Sequence, residues 1–444
     1  MHVDDRVKRS VELYDRAGEL IPGWTQLISR RASQFAAGVS PAYAREAKGS
    51  RFTDVDGNEY IDWVNCVGAI ILGHADEVVN DAVKEQIDRG SLYTLNNPLE
   101  IELAEVLVDT IPSAEMVRYS KGGGDACTVA IRIARGVTGR DKVLFSGYHG
   151  WHDWYQAANY LVDPESGEFP FAGIEPTGVP KVLEGTAIPF VYGDLAMLES
   201  LFEENKGEVG TVMMEPLRSD IPEEGYLEGV KKLARDNGAV LIFDEVSCGW
   251  RTRIGGIQEF LGITPDMSVF AKAMSNGYPM GVTVGSREFM EPAGRMFISS
   301  SYWSDNVGLA ASITTIRELR RRDSETRLAE IGENMRAAIG EAIDSSGIAA
   351  KCTGWHYRAG IKFDLPDESL LPKVTTLFTQ EMARRGIHCH TGFNPTLAHT
   401  EEDIRRTAEA AEQTFRIIQR GLEGELDELL VADEKKEPFR RLVR

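Results

Sequence analysis

An α/β fold with a mostly parallel central sheet is what this sequence predicts, on three observations. From about Ile101 onward, helical periods and short buried strands alternate regularly, the pattern of repeated β-α units with helices on both faces of one sheet. The run Ala239 to Phe243 is apolar without interruption and ends in two carboxylates, Asp244 and Glu245. Such a run reads as a strand covered on both faces, as in a parallel sheet. Third, a glycine triplet, Gly122-Gly123-Gly124, falls between a strand and a helix.

The 444 residues allow a large core and roughly two to three domains. A formal charge of −20 disfavours nucleic acid as a partner. Five cysteines, scattered singly, fit a reducing compartment rather than a disulfide framework. The opening MHVDDRVKRS lacks the apolar core of a signal peptide, and no apolar run approaches the ~20 residues needed to span a bilayer. The expectation is a soluble, cytoplasmic protein.

Taken in order, Val3, Val7, Val11 and Tyr14 recur at helical intervals. The segment from Gly23 to Tyr43 has turn residues and no sustained period, so it reads as an extended arm. Arg30 and Arg31 within it fit either solvated surface or a ligand contact. RFTDVDGNEYIDWV places two alternating runs around Asp56-Gly57, a turn dipeptide, and predicts a β-hairpin in a small N-terminal lobe. The stretch ending Leu72-Gly73-His74 leads into a helix over 76–89. Helix 100–110, strand Met116 to Tyr119 and helix 125–137 follow, the last with Ala126, Ala130, Ile133, Ala134 and Val137 on one stripe. Strand Val143 to Phe145 leads to Gly147-Tyr148-His149-Gly150. Strand Thr211 to Met214 ends at Glu215-Pro216, helix 227–237 follows, and then comes the strand that delivers Asp244.

A second short strand, Met267 to Ala271, delivers Lys272 in the same way. Between Asn159 and Thr186 a Gly/Pro-rich stretch without period reads as a lid or a dimer-contact loop. A helix over about 306–322 ends in Arg320-Arg321-Arg322, cations suited to a helix C-terminus. The region 325–432 reads as helices flanking short strands, its last helix capped by Thr400 with Glu401, Glu402 and Asp403 in the first turn. The expected domains are an N-terminal arm and part of a small domain (1–70), a large domain (71–322) and a C-terminal small domain (323–444).

An acid and a lysine at the ends of buried strands lie where open α/β sheets place ligands, though the two alone fit a structural salt bridge equally well. Glycines at a strand-to-helix junction let backbone N–H groups and the helix dipole approach an anion, most often phosphate. A dinucleotide fingerprint fails on detail, because Cys127 stands where the third glycine of G-x-G-x-x-G belongs. That counts against a nicotinamide dehydrogenase. A phosphate site, a ring-bearing Tyr148, a buried acid and a strand-end lysine together are what pyridoxal phosphate requires: a lysine for the Schiff base, an acid for the ring nitrogen, a glycine loop for the phosphate and an aromatic on the ring face. The spacing of His388-Cys389-His390 and His399 matches no common zinc pattern, so no metal is expected.

The segments DVDGNEYIDW, ILGH, KGGGDACTVAIRIARGVTGRDKV, GYHGWHDW, MEP, LIFDEVSCGWR, GGIQEFLGITPDM, AKAMSNGYPMG and LAHTEEDIRRT resemble, in order and spacing, the class III (ω-type) pyridoxal-phosphate aminotransferases. The nearest branch is that of glutamate-1-semialdehyde 2,1-aminomutase. The resemblance implies fold type I, a large domain plus a small α+β domain built from both termini. It also implies a homodimer with active sites at the interface. Lys272 resembles the Schiff-base lysine, Asp244 the acid at the pyridine nitrogen, Val246 a residue packed on the ring and Tyr148 the stacking aromatic. Gly123 and Gly124 match the phosphate loop, where the family usually has hydroxyl side chains. Backbone N–H groups, helped by Ser120 or Lys121, are expected to compensate. Ser301 matches a threonine that reaches the partner subunit's phosphate.

The implied substrates are a small-molecule amino donor and a carbonyl acceptor. The aminomutase branch has a GVNSPVR-like motif whose arginine grips a carboxylate, but here the segment is Gly38-Val39-Ser40-Pro41-Ala42-Tyr43. A phenol does not replace a bidentate guanidinium. A transaminase is therefore favoured over an aminomutase, with Tyr43, Arg218 and Trp151 as candidate substrate contacts.

Overall fold

The computed structural model of the chain describes residues 3–161, 171–172, 176–218, 220–435 and 440–441. It divides into two compact units, Met1–Asp76 with Thr326–Glu437, and Glu77–Glu325 with Pro438–Arg444. The boundaries lie a few residues beyond the expected 70/71 and 322/323.

The second unit is built on seven strands: β1 (Met116–Ser120), β2 (Lys142–Ser146), β3 (Ala187–Pro189), β4 (Val209–Met214), β5 (Val240–Asp244), β6 (Met267–Phe270) and β7 (Gly281–Gly285). Their order is β1-β7-β6-β5-β4-β2-β3. β7 pairs antiparallel with both β1 and β6, and the other pairings are parallel. Six strands therefore run one way, and Ser120, Ser146, Met214, Asp244 and Phe270 end along one edge.

Successive side chains of a strand point to opposite faces, and here both faces are covered. Val143, Phe145, Met213, Val240 and Ile242 pack with Ala126, Ala130, Ile133 and Ala134 of helix α1 (Gly123–Thr138). Leu144, Val212, Met214, Leu241 and Phe243 pack on the other side with Tyr226, Leu227, Val230 and Ala234 of helix α2 (Tyr226–Asp236). This double covering explains the unbroken apolar runs. Each large side chain fully buried here stabilises by roughly 1.5–3 kcal/mol relative to exposure.

In the first unit the hairpin expected around Asp56-Gly57 is present, with Arg51–Asp54 antiparallel to Glu59–Asp62 and Gly57 at φ +95°. Ile387–His388 adds to it in parallel. Trp63, Met335, Ile339, Phe378, Phe393 and Phe415 form its core. The last helix, Glu401–Arg420, starts with a capping box between Thr400 and Asp403. The first helix departs from expectation. It begins only at Lys8, because the Asp4 side chain accepts from the backbone N–H of Arg6 and caps a short 3-10 turn over Asp5–Val7. Of the stretch expected to form a lid, residues 162–170 and 173–175 lie outside the described residues. Among the described residues, no helix is long and apolar enough to cross a membrane.

Candidate active site

Asp244 ends β5 and is buried. Its Oδ1 accepts from the Val246 N–H at 3.0 Å. Its Oδ2 accepts from His149 Nδ1 at 2.7 Å and from the Cys127 thiol at 3.5 Å. An ionised carboxylate only accepts, so His149 carries its proton on Nδ1 and Cys127 is the donor. His149 is itself buried, and its Nε2 has no hydrogen-bond partner among the described residues. The adjacent Glu245 points to the opposite side of the strand, as the two-residue period requires. It accepts from the Ile257 N–H at 2.5 Å and from Gln258 Nε2 at 2.9 Å, and burial pushes its carboxyl up to about 7. The two carboxylates at the strand end thus have separate roles, and Asp244 alone faces α1.

His149 arrives on the loop after β2. Gly147 and Gly150 there have φ of +121° and +111°. A Cβ on Gly147 would lie 2.6 Å from the Glu215 carboxylate, and one on Gly150 would lie 2.7 Å from Gly124 Cα. Only glycine lets this loop lie against the first turn of α1.

Lys272 follows β6. Val269 pairs with Asp244 across the β5–β6 ladder, and Glu245 N–H donates to Val269 O at 3.0 Å. Lys272 is therefore three residues past the level of Asp244 on the neighbouring strand. Its backbone is left-handed, φ +49°, a conformation that costs a non-glycine residue energy and is held where the surroundings over-determine it. The half-buried ammonium donates to Ser247 Oγ at 2.9 Å. Asp244 and Lys272 are thus held by different partners.

Gly122 caps α1 with extended backbone and no side-chain cap. The N–H groups of the first turn, starting at Gly123, lack carbonyls one turn earlier and are the donors an anion meets at a helix start. A Cβ on Gly123 would lie 2.8 Å from Val246 Cγ1, whereas one on Gly124 meets nothing nearer than 3.5 Å and one on Gly122 nothing nearer than 3.8 Å. Of the triplet, Gly123 is the one that packing requires. Both side chains expected to assist have protein partners here. Ser120 Oγ donates to Gly122 O at 3.4 Å, and the Lys121 ammonium is ion-paired with Asp305 and donates to Pro279 O at 3.3 Å.

Tyr148 is half-exposed, its ring edge-on to Tyr155 and its N–H 3.3 Å from the Glu215 carboxylate. Arg218 Nε lies 3.7 Å from the same carboxylate. Trp151 is 71 % exposed. Gly123 meets Val246, whose N–H bonds to Asp244; the next residue, Ser247, accepts from Lys272, and the loop carrying Tyr148 joins through His149. Ser301 is exposed, in a turn between Phe297 and Trp303.

Tyr43 belongs to the first unit, where it lines a cavity of about 490 Å³ with Arg30, Phe35, Asp62 and Cys66. One wall of that cavity had no sequence signal. Asn65, Cys66 and Val67 are all left-handed, at φ +48°, +53° and +58°, and Gly68 continues at +80°. A left-handed turn costs L-residues roughly 1–2 kcal/mol each. Of the candidate zinc ligands, His388 and His390 stack on Phe35 at 4.6 and 4.2 Å, and His399 stacks on Trp63 at 3.9 Å.

These residues fit pyridoxal phosphate. A buried acid is held by three donors, an amine follows the adjacent strand, and a helix start is kept clear by a glycine whose Cβ space Val246 fills. Cys127, His149 and Asp244 are also near enough to suggest a metal. The 2.7 Å between His149 and Asp244 is a hydrogen-bond separation, however, while ligands on one zinc stand about 3.3 Å apart.

Residues 34–351 match the family model described as aminotransferase class-III. The chain belongs to the class III aminotransferases. It is 34 % identical over 428 residues to a 3-aminobutyryl-CoA aminotransferase of Cloacimonas acidaminovorans, covering 94 % of this chain and 99 % of the relative. It is 35 % identical over 431 residues to a glutamate-1-semialdehyde 2,1-aminomutase of Geotalea daltonii, covering 92 % and 99 %. Among solved structures it is similar to the FumI protein of Sphingopyxis sp. MTA144 in its PLP internal aldimine form, with TM-score 0.84, 25 % identity and coverage of 94 % and 98 %. It is also similar to an omega-transaminase from Sphaerobacter thermophilus, with TM-score 0.80, 27 % identity and coverage of 92 % and 97 %. The fold is accordingly fold type I, and the chain is a pyridoxal-phosphate-dependent enzyme.

Three features of this aminotransferase site were not legible in the sequence: the Cys127 and His149 contacts on Asp244, and the Ser247 hydroxyl on Lys272. One periodic signal existed. Cys127 is four residues after Gly123, so a helix places both on one face.

Proposed function

We propose that this chain is a transaminase that moves an amino group between a donor amine or amino acid and a carbonyl acceptor. One observation carries the reading: Asp244 ends β5 and Lys272 follows β6, the adjacent parallel strand, with the glycine start of α1 packed against the Asp244 end. When bound, pyridoxal phosphate supplies an electron sink for the carbanion formed beside the substrate amine. In this reading Asp244 faces the ring nitrogen and keeps it protonated. Lys272 would hold the cofactor through its amine and, when that amine is free and uncharged, would be the group placed to carry a proton at the reacting carbon. Tyr148 and Val246 would pack against the ring. The N–H groups at Gly123 and Gly124 hold the phosphate, and Tyr43, Arg218 and Trp151 contact substrate.

A homodimer completes the reading, with Ser301 reaching the phosphate of the partner. Ser301 lies between Phe297 and Tyr302, which are 87 % and 69 % exposed. The Asn306 N–H bonds to Ser91 O, which brings exposed Leu92, Tyr93 and Leu95 beside that segment. Large exposed apolar side chains gathered in this way support burial by a second copy.

An intramolecular aminomutase is the second reading, favoured by the name of the Geotalea relative. Tyr43, at the place of that branch's arginine, weighs against it. The reading is tested on the purified, cofactor-loaded protein. A visible absorption band that Lys272→Ala abolishes is expected, as is conversion of the cofactor to its amine form by one or more donors from a panel. Turnover with a single substrate and no second carbonyl would overturn the transaminase in favour of the aminomutase.

A further inference from the structure

We propose that Cys127 is a positioning residue, whose thiol ties the helix bearing the phosphate cradle to the acid at the ring nitrogen and fixes the span between them. This rests on the roles given above to Asp244, Gly123 and Gly124. The geometry is specific. α1 meets the strand end at two points on one face: Gly123 against Val246, with 2.8 Å between the Cβ position and Cγ1, and one turn later Cys127 on Asp244 at 3.5 Å. Those two helix residues are four apart and the two strand-end residues two apart, so the contacts set both the height and the rotation of the helix.

Cys127 is buried, as are Asp244 and His149. Burial, then the negative charge of Asp244, pushes the thiol well above its ordinary range. It stays an S–H donor and is not a nucleophile. With His149 Nδ1 on the same oxygen and the Val246 N–H on the other, Asp244 has three donors. Removing one leaves a buried carboxylate less well held in both angle and charge.

The alternative is that Cys127 only fills space. Valine nearly matches its volume without a donor, alanine removes both, and serine keeps a donor on a shorter arm. Each variant is loaded with pyridoxal phosphate and read by the position of its visible band and by the rate of cofactor release, with Asp244→Asn as reference. The Tm of each cofactor-free form serves as the control. Cys127→Val is expected to release cofactor about three- to tenfold faster and to move the band toward that of Asp244→Asn, at nearly unchanged Tm. Cys127→Ser is expected to restore most of both. If Cys127→Val matches the native protein in band and release while Asp244→Asn does not, the proposal is wrong and the acid assignment stands. If Asp244→Asn itself changes neither, the assignment beneath the proposal fails. If valine unfolds the cofactor-free form, the alanine–serine pair decides: equal release and equal bands there reduce Cys127 to packing.

Discussion

Nδ1 of His149 lies 2.7 Å from Oδ2 of Asp244, with both side chains buried. A bond of this kind orients the carboxylate. His149→Phe keeps a ring in the space and removes the donor. The expected result is a fall in kcat/KM of about 10- to 100-fold, the equivalent of one hydrogen bond to a charged group, together with a shifted cofactor band. His149→Phe with native kcat/KM would show the pair to be structural only.

Asp244→Asn keeps the shape of the acid and removes its charge. With the role proposed for Asp244, kcat is expected to drop on the order of 10²–10³-fold while the fold persists. Circular dichroism and thermal unfolding check the second part. A collapse of Tm together with activity would assign the residue to stability rather than to chemistry.

The glycine triplet separates by position. Gly123→Ala drives a methyl to 2.8 Å from Val246 Cγ1, whereas the same change at Gly124 meets only contacts of 3.5 Å or more. Gly123→Ala is expected to weaken cofactor binding about tenfold or more, and Gly124→Ala to leave it within about threefold. Combining Gly123→Ala with Val246→Ala, which relieves the clash, should recover part of the loss. Cofactor titration of the native protein, Gly123→Ala, Val246→Ala and the double variant forms a double-mutant cycle, and strict additivity would mean that the two residues do not meet.

Much of this was legible because it depends on local rules. The apolar run ending at Asp244, the glycines before α1 and the capping residues Thr400 and Asp403 each state their structure within a few neighbours. The partners of Asp244 come from a helix 117 residues away and a loop 95 residues away, and no local period encodes a pairing of that range. Ser120 and Lys121 show the converse. Their types suited a phosphate, but Gly122 O, Asp305 and Pro279 O are the partners they meet. The left-handed run Asn65-Cys66-Val67 has no composition cue, since two of its residues, Cys66 and Val67, are types that rarely adopt positive φ.

Asp403 gives the fold of the first unit a defined pH dependence. Its carboxylate is almost wholly buried and accepts from Thr400 N–H at 3.0 Å, from Ser50 Oγ at 2.9 Å and from the Arg51 guanidinium at 2.5 Å. Burial alone would push its pKa up, but these donors and the positive charge outweigh it and hold the group below its ordinary 3.8. An acid whose pKa is lowered by folding adds stability that is complete above the unfolded pKa and is lost as pH falls through the folded one. Asp403→Asn is therefore expected to destabilise by about 2–4 kcal/mol at pH 7, combining a lost cap and a broken buried pair. That gap should begin to narrow as pH drops below about 4, where the unfolded aspartate takes up its proton, and go on narrowing until pH has fallen through the lower folded pKa. Denaturant unfolding of both proteins across pH 2.5–7 measures the gap directly, and a difference that stays constant over that range would remove the ionised carboxylate from the account.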